Sequence, residues 1–458
     1  MMPLKISRIL HAGYVLECEG TQIAFDPIFE NPFSRNCHAF PAVRFDHGAI
    51  KGWRPAAVFI SHFHDDHCSL ESLDFLDRAT PIYLYCLFDE MFALIRELGF
   101  VNVQALQVDL PVAVGPFTVT PRKALDSDVD SMLQVQAAGL NLLNVVDAWM
   151  DPEVLPALAA YAPWDMVLWP FQTMREMDVI CPSRARANAA AGEVVTELPE
   201  EWMDQLRALQ PRYVVPSSCQ FVQEPWSWYN HAMFPISYRR FGEALSAALP
   251  GTQVMRLDPS VSVLLERDAL RAAEPLAWVL PVGPQDVDFQ YDGAIVLAPP
   301  STADIARRFA PLTAQQAALA LDYCRSGLLD KYRDMELPEE SYFEQPRIWQ
   351  LTLYDHEGQG TQFRYRVCGD AIEADEGGEG GEPLAWSTDI PLAKLYAGLA
   401  LGESLTSMYM RINDAAFEPH VAQQQLEADI VDDPLIRCLF DNAFGAYQAA
   451  QLRRIQER

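Results

Sequence analysis

Apolar and polar positions alternate in short runs from the start of the chain. The stretch 4–27, LKISRILHAGYVLECEGTQIAFDP, places apolar segments around a turn at Glu19-Gly20 and ends on Asp26-Pro27, which predicts a meander of strands. The turn-forming residues of 31–48 predict a surface loop. Five apolar residues at 56–60 predict a buried strand, and Leu70, Leu73, Phe75 and Leu76 have helical spacing behind Ser69, a natural cap. Strand signals at 81–85, 101–108, 117–121, 140–146 and 212–216 are then interleaved with helical signals at 90–98, 153–160, 199–209 and 238–249. Strands in runs with helices between them predict stacked sheets covered by helices, an α/β arrangement.

A chain of 458 residues is too long for one ordinary core, and a boundary is expected near 265–285. Beyond it, Trp349, Leu351 and Leu353 alternate with polar residues, the chain turns at 357–360, and Phe363, Tyr365 and Val367 alternate back, which predicts a hairpin. The acidic, glycine-rich stretch 373–382 predicts a loop without a packed role, and 391–401 and 432–455 predict helices. The expected division is a larger domain over 1–275 and a smaller α+β domain over 285–458.

Charge and cysteine content narrow the function. With 34 basic and 63 acidic residues the formal charge is −29, which repels phosphate backbones and excludes nucleic acid as the expected partner. Residues 1–9 carry no apolar export segment, and no run of eighteen apolar residues occurs, so neither export nor a membrane span is expected. The nine cysteines are scattered and never spaced C-x-x-C, which argues against a disulfide framework and points to a reducing cytoplasm.

The candidate chemistry is concentrated in ISHFHDDHC, residues 60–68, where three of the nine histidines stand beside two aspartates. His62 and His64 are two apart on a chain leaving a strand, so both imidazoles can face one way, while Asp66 and His67 occupy the next turn. Imidazoles and carboxylates at a strand end suit two divalent metal ions.

His62, His64, Asp66 and His67 form the H-x-H-x-D-H pattern of the metallo-β-lactamase superfamily, which the chain resembles over about residues 4–260. The resemblance implies an αββα sandwich with a dinuclear site at a sheet edge. It implies that His62 and His64 hold one metal and that Asp66 and His67 hold the other. It also implies a bridging aspartate after an apolar strand, for which LNLLNVVDAW supplies Asp147; the competing role is a helix cap near 153. Asp66 and Asp147 are the candidate catalytic carboxylates.

Two departures from the pattern matter. The family places a further histidine about twenty residues before the bridging aspartate, and no histidine lies between His67 and His231. Asp126 and Asp128 lie 21 and 19 positions before Asp147 and are the candidates for that place; either also suits a solvated turn. The family's last histidine follows a late strand, yet RYVVP is followed by Ser217, Ser218 and Cys219, leaving His231 as the candidate to return to the site or else to serve the core or surface. His11 is expected to be structural or to support a ligand. The aromatic residues of 221–234 are expected to pack a long loop or to line a pocket.

Carboxylate in place of imidazole hardens the site and favours iron, with zinc or manganese as the other choices. ISHFHDDHCSLESL and LLNVVDAW look similar to the branch containing CMP-N-acetylneuraminate hydroxylase, and the carboxylate exchange resembles diiron β-hydroxylases. That resemblance implies an oxygenase hydroxylating a small, partly apolar molecule with an external electron donor. A dizinc hydrolase of esters, amides or phosphodiesters is the alternative, and a binding protein with a decayed site is the third reading. The C-terminal half bears a faint similarity to SCP2-like lipid carriers, with substrate capture or homodimer formation as its expected roles.

Overall fold

In a computed structural model, residues 3–335, 341–375, 382–440, 443 and 445–458 are described. The first half is built on two mixed sheets lying face to face. Strands Leu4–Arg8, Tyr14–Cys18 and Thr21–Phe25 form the predicted antiparallel meander, and Ala57–Ile60, Ile82–Leu84 and Val103–Ala105 extend it in parallel. Ser262–Leu265 and Leu270–Ala273 complete the other edge, giving eight strands. The second sheet has seven, with Leu140–Asn144 antiparallel to Ser131–Ala137 and parallel to Met166–Pro170, which in turn runs parallel to Tyr213–Ser217.

Strand periodicity explains why the sheets stack. In Ala57–Ile60 every residue is buried: Ala57 and Phe59 join the core between the sheets with Phe25, Val119, Leu133 and Leu168. Val58 and Ile60 face the opposite way, into the apolar layer beneath the helices. A strand buried on both faces reads as a continuous apolar run, as 56–60 does. Helices Leu70–Leu73 and Asp89–Glu97 belong to the first sheet's side, and Leu155–Ala159, Glu200–Leu209 and Tyr238–Ala248 to the second. The architecture of the first half is an αββα sandwich, two stacked sheets with helices on both outer faces.

The predicted hairpin forms as strands Arg347–Tyr354 and Gly360–Cys368, with Trp349 opposite Tyr365 and Leu351 opposite Phe363. It belongs to a five-stranded sheet with Ala371–Ala374, Leu384–Pro391 and Arg411–Ile412. Of the acidic stretch 373–382, residues 376–381 lie outside the described ones. Of the predicted C-terminal helices, 391–401 forms as Leu392–Leu401, whereas 432–455 is described as two helices, Pro434–Phe440 and Ala446–Gln456. One apolar cluster runs without a break from the first half into the second. The strand Val279–Pro281 pairs back onto Val43–Phe45, inside the stretch expected to be a loop. Among the described residues, no helix is long and apolar enough to cross a membrane.

Candidate metal centre

The signature segment leaves the C-terminal end of Ala57–Ile60 and folds into a turn in which the His67 and Cys68 amides both donate to the His64 carbonyl, at 3.0 and 2.8 Å. Ser69 caps the next helix by accepting from the Ser72 amide, as its sequence position predicts. The turn brings His62, His64, Asp66 and His67 to the cleft between the sheet ends.

Among the described residues, seven side chains meet there in two groups. His62, His64 and Asp130 form one; His11, Asp66, His67 and Asp147 form the other. In the second group, His67 Nε2 lies 3.0 Å from Asp147 Oδ2 and 3.2 Å from His11 Nε2. Asp66 Oδ2 lies 3.1 Å from His11 Nε2, and its Oδ1 lies 3.7 Å from His67 Nε2. In the first group, His62 Nε2 lies 3.7 Å from Asp130 Oδ1. Asp147 faces both: its Oδ2 points to His11 and His67, while its Oδ1 lies 3.9 Å from His62 Nε2.

These separations suit cations. Ligand atoms about 2.1 Å from one ion stand roughly 3.0–3.4 Å apart in octahedral or tetrahedral arrangements. A second observation points the same way. Asp130 Oδ1 and Asp147 Oδ1 are buried without a hydrogen-bond partner, although both face His62 Nε2. Buried carboxylate oxygens are expensive to leave unpaired unless an ion compensates them.

Supporting contacts fix the imidazoles. Asp26, fully buried, accepts from the Ser61 amide and hydroxyl at 2.7 Å each, and its Oδ2 takes a hydrogen bond from His67 Nδ1 at 3.0 Å. With its Nδ1 proton committed, His67 presents the Nε2 lone pair to the cleft. The buried Arg8 guanidinium donates to the His11 carbonyl and the Tyr14 hydroxyl, holding the turn that carries His11. A Cβ on Gly13 would meet the Asp26 carbonyl at 2.8 Å, so only glycine lets this turn approach Asp26 so closely. His11, Asp26 and Val146 all adopt positive φ, of 48°, 38° and 62°. Such backbone strain gathers where the surroundings over-determine the chain.

The acidic and imidazole groups of the cluster shift one another strongly. Burial alone would raise Asp66 and Asp147, but His67 and a hydrogen bond from His11 hold both below the usual carboxylate range. Burial would likewise lower His67, yet Asp147 and Asp66 lift it well above an ordinary imidazole. At Asp130 the pull of His67 is the weaker influence. Burial, followed by repulsion from Asp147, pushes it up to about 7. Burial and the adjacent His67 and His64 push His62 down, leaving it neutral and able to ligate.

Several sequence expectations are corrected here. Asp126 and Asp128 stay exposed, outside both groups, and the Asp126 carbonyl accepts from the Val129 and Asp130 amides at 3.2 and 2.7 Å. They shape the turn that delivers Asp130, the residue immediately before strand Ser131–Ala137. His231 is exposed, bonded through Nδ1 to the Gln290 carbonyl at 3.1 Å, and absent from the site. His11 stands in the second group instead. It was obscure in the sequence because it lies 51 positions before His62; its one signal is its place in a tight turn before glycine. Asp147 caps no helix, since Val154 precedes Leu155–Ala159. The aromatic residues of 221–234 pack rather than line the cleft: Phe221 abuts the His11 ring at 5.7 Å, and Trp226 stacks on Tyr409 at 5.3 Å.

The cleft encloses about 430 Å³ against His62, His64, Asp130 and Asp147, with Trp149 and Met174 as apolar wall and Gln172, Arg175, Glu176 and Cys219 as polar wall. Arg175 is neutralised by Asp178 and Glu193, at 2.6 and 2.8 Å.

Comparison of the sequence with protein-family models and with curated proteins gives no match. Among solved structures the chain is similar to Igni18, a metallo hydrolase of Ignicoccus hospitalis, at 15% identity over 58% of this chain and 99% of that one, with a TM-score of 0.38. It is similar to CmlA, a diiron β-hydroxylase of Streptomyces venezuelae, at 15% identity over 58% of this chain and 54% of that one, TM-score 0.38. An isothiocyanate hydrolase from Delia radicum gut bacteria is similar at 14% identity over 56% and 98%, TM-score 0.41. The two stacked sheets, with the H-x-H-x-D-H segment at the end of a sheet strand facing Asp147 across the cleft, give this chain the metallo-β-lactamase fold.

Proposed function

We propose that this chain is a dinuclear-metal oxygenase that hydroxylates a small, partly apolar molecule bound in the cleft. His62, His64 and Asp130 would hold one metal, His11, Asp66 and His67 the other, and Asp147 would be shared. The observation that carries the reading is Asp130: a carboxylate completes the first group, so three of the seven candidate ligands are hard oxygen donors, which favours iron. Reduced iron there would supply dioxygen activation, with electrons from an external donor. The protein's own part is to hold the ligands, through Asp26 and Arg8, and to present Trp149 and Met174 to the apolar part of a substrate. Such a cleft suits a small molecule.

A hydrolase is the second reading, favoured by one observation: the remaining four ligands, His11, His62, His64 and His67, are imidazoles, which suit zinc equally. Protein produced with iron and no added zinc separates the two. Two irons per chain, a visible absorption band and oxygen uptake with a reductant support the oxygenase. Two zincs with esterase or phosphodiesterase turnover replace it by the hydrolase, and substoichiometric metal removes both.

A further inference from the structure

The C-terminal helix Ala446–Gln456 lies against Leu70–Leu73 and Asp89–Glu97, both far earlier in the sequence. Two of its glutamines, 448 and 451, are 2% and 0% exposed and stand one turn apart, so they share a face. The Gln448 side-chain nitrogen donates to the carbonyls of both Phe63 and Cys68, at 2.8 Å each. Those two carbonyls bracket His64, Asp65, Asp66 and His67, and one nitrogen therefore closes the signature turn across its ends. Gln451 accepts from the Leu70 amide at 2.7 Å and donates to the Ser69 hydroxyl at 2.8 Å, fixing the cap that follows. The same half reaches the cleft's other wall, where the Thr406 hydroxyl donates to Glu176 at 2.8 Å.

Resting on the dinuclear-metal reading, we infer that Gln448 is a positioning residue: the C-terminal half closes the turn that carries His64, Asp66 and His67 and so sets the affinity of the metal centre. Without Gln448 the turn would keep its two amide bonds to the His64 carbonyl and the His67–Asp26 bond, but would lose the tie that joins the Phe63 and Cys68 carbonyls across its ends. Ligands fixed in place before the ion arrives bind it more tightly than ligands that must be gathered. The C-terminal half is in this view a component of the metal site.

The test replaces Gln448 with methionine, which keeps length and volume but removes the donor. Gln425→Met is the control, since Gln425 is also buried and donates to a carbonyl, that of Ala385, within the C-terminal half and away from the cleft. Cobalt(II) is titrated into full-length metal-free protein at a temperature where circular dichroism shows every variant folded, and the visible ligand-field bands are followed. Gln448→Met is expected to weaken cobalt binding by about 10-fold or more and to alter the band shape, while Gln425→Met changes affinity by less than about 2-fold. Cobalt binding by Gln448→Met that matches the wild type in affinity and band shape overturns the inference, as does an equal loss in the control. If Gln448→Met does not fold, Gln451→Met decides by the same criteria. Failure of the wild type itself to bind cobalt would instead sink the metal-site reading.

Discussion

Asp26→Asn isolates the contact between the fold and the candidate ligands. The aspartate accepts three hydrogen bonds while fully buried: two from Ser61 at 2.7 Å and one from His67 Nδ1 at 3.0 Å. Asparagine keeps one acceptor oxygen, which the Ser61 amide claims because that amide can only donate. The new NH₂ then faces the Ser61 hydroxyl, which can rotate to accept, and His67 Nδ1, which can accept only by moving its proton to Nε2. Nε2 is the atom turned towards His11, Asp66 and Asp147, so the substitution replaces the ligating lone pair by an N–H. Loss of such a supporting partner costs about 10–100-fold in metal affinity, or about 1.4–2.7 kcal/mol. The metal-free protein also loses a charge-assisted bond worth about 1.5–3 kcal/mol. Competition of each variant with a chromophoric zinc chelator measures the first effect, and urea unfolding of metal-free protein measures the second. If Asp26→Asn retains wild-type affinity, His67 does not ligate through Nε2, and the assignment of the second group collapses.

Metal content after expression in iron-supplemented medium separates the carboxylates of 126–130: Asp130→Ala is expected to fall from two ions per chain to about one, with Asp126→Ala and Asp128→Ala unchanged. The histidines divide similarly, His11→Ala losing the second ion and His231→Ala keeping both, which mass spectrometry under native conditions reads directly. Metal uptake should release protons, because His67 and His11 are raised above the ordinary imidazole value and Asp130 is raised to about 7, and all three must deprotonate to ligate. Affinity should therefore rise with pH through that range, and calorimetry at pH 6.5 in buffers of different ionisation enthalpy should find net proton release on uptake; uptake without proton release would contradict these assignments.

The sandwich and five of the seven candidate site residues were legible in the sequence for a physical reason. Strand Ala57–Ile60 is buried on both faces and the four candidate ligands that follow it, His62, His64, Asp66 and His67, are local in sequence, so periodicity and spacing expose them together. Asp147 was readable because an apolar strand runs directly into it. Asp130 was not, because strand Ser131–Ala137 alternates only from Leu133 onward and opens on Ser131-Met132, so its start is blurred and the aspartate before it looks like one more turn residue. His11 depends on tertiary contacts alone: the buried Arg8, the close approach at Gly13 and the carboxylates of Asp66 and Asp147. His231 misled because counting histidines does not register that a carboxylate and a distant turn can supply the missing positions. The clamp made by Gln448 and Gln451 joins residues too far apart for any local pattern to connect.

The central claim is that Asp147 stands between two cation positions, and anomalous scattering from crystals of metal-loaded protein tests it most directly. Two peaks are expected, one among His62, His64 and Asp130 and one among His11, Asp66 and His67, with a carboxylate oxygen of Asp147 turned to each. A single peak, or two peaks of which either lies away from Asp147, would contradict the account.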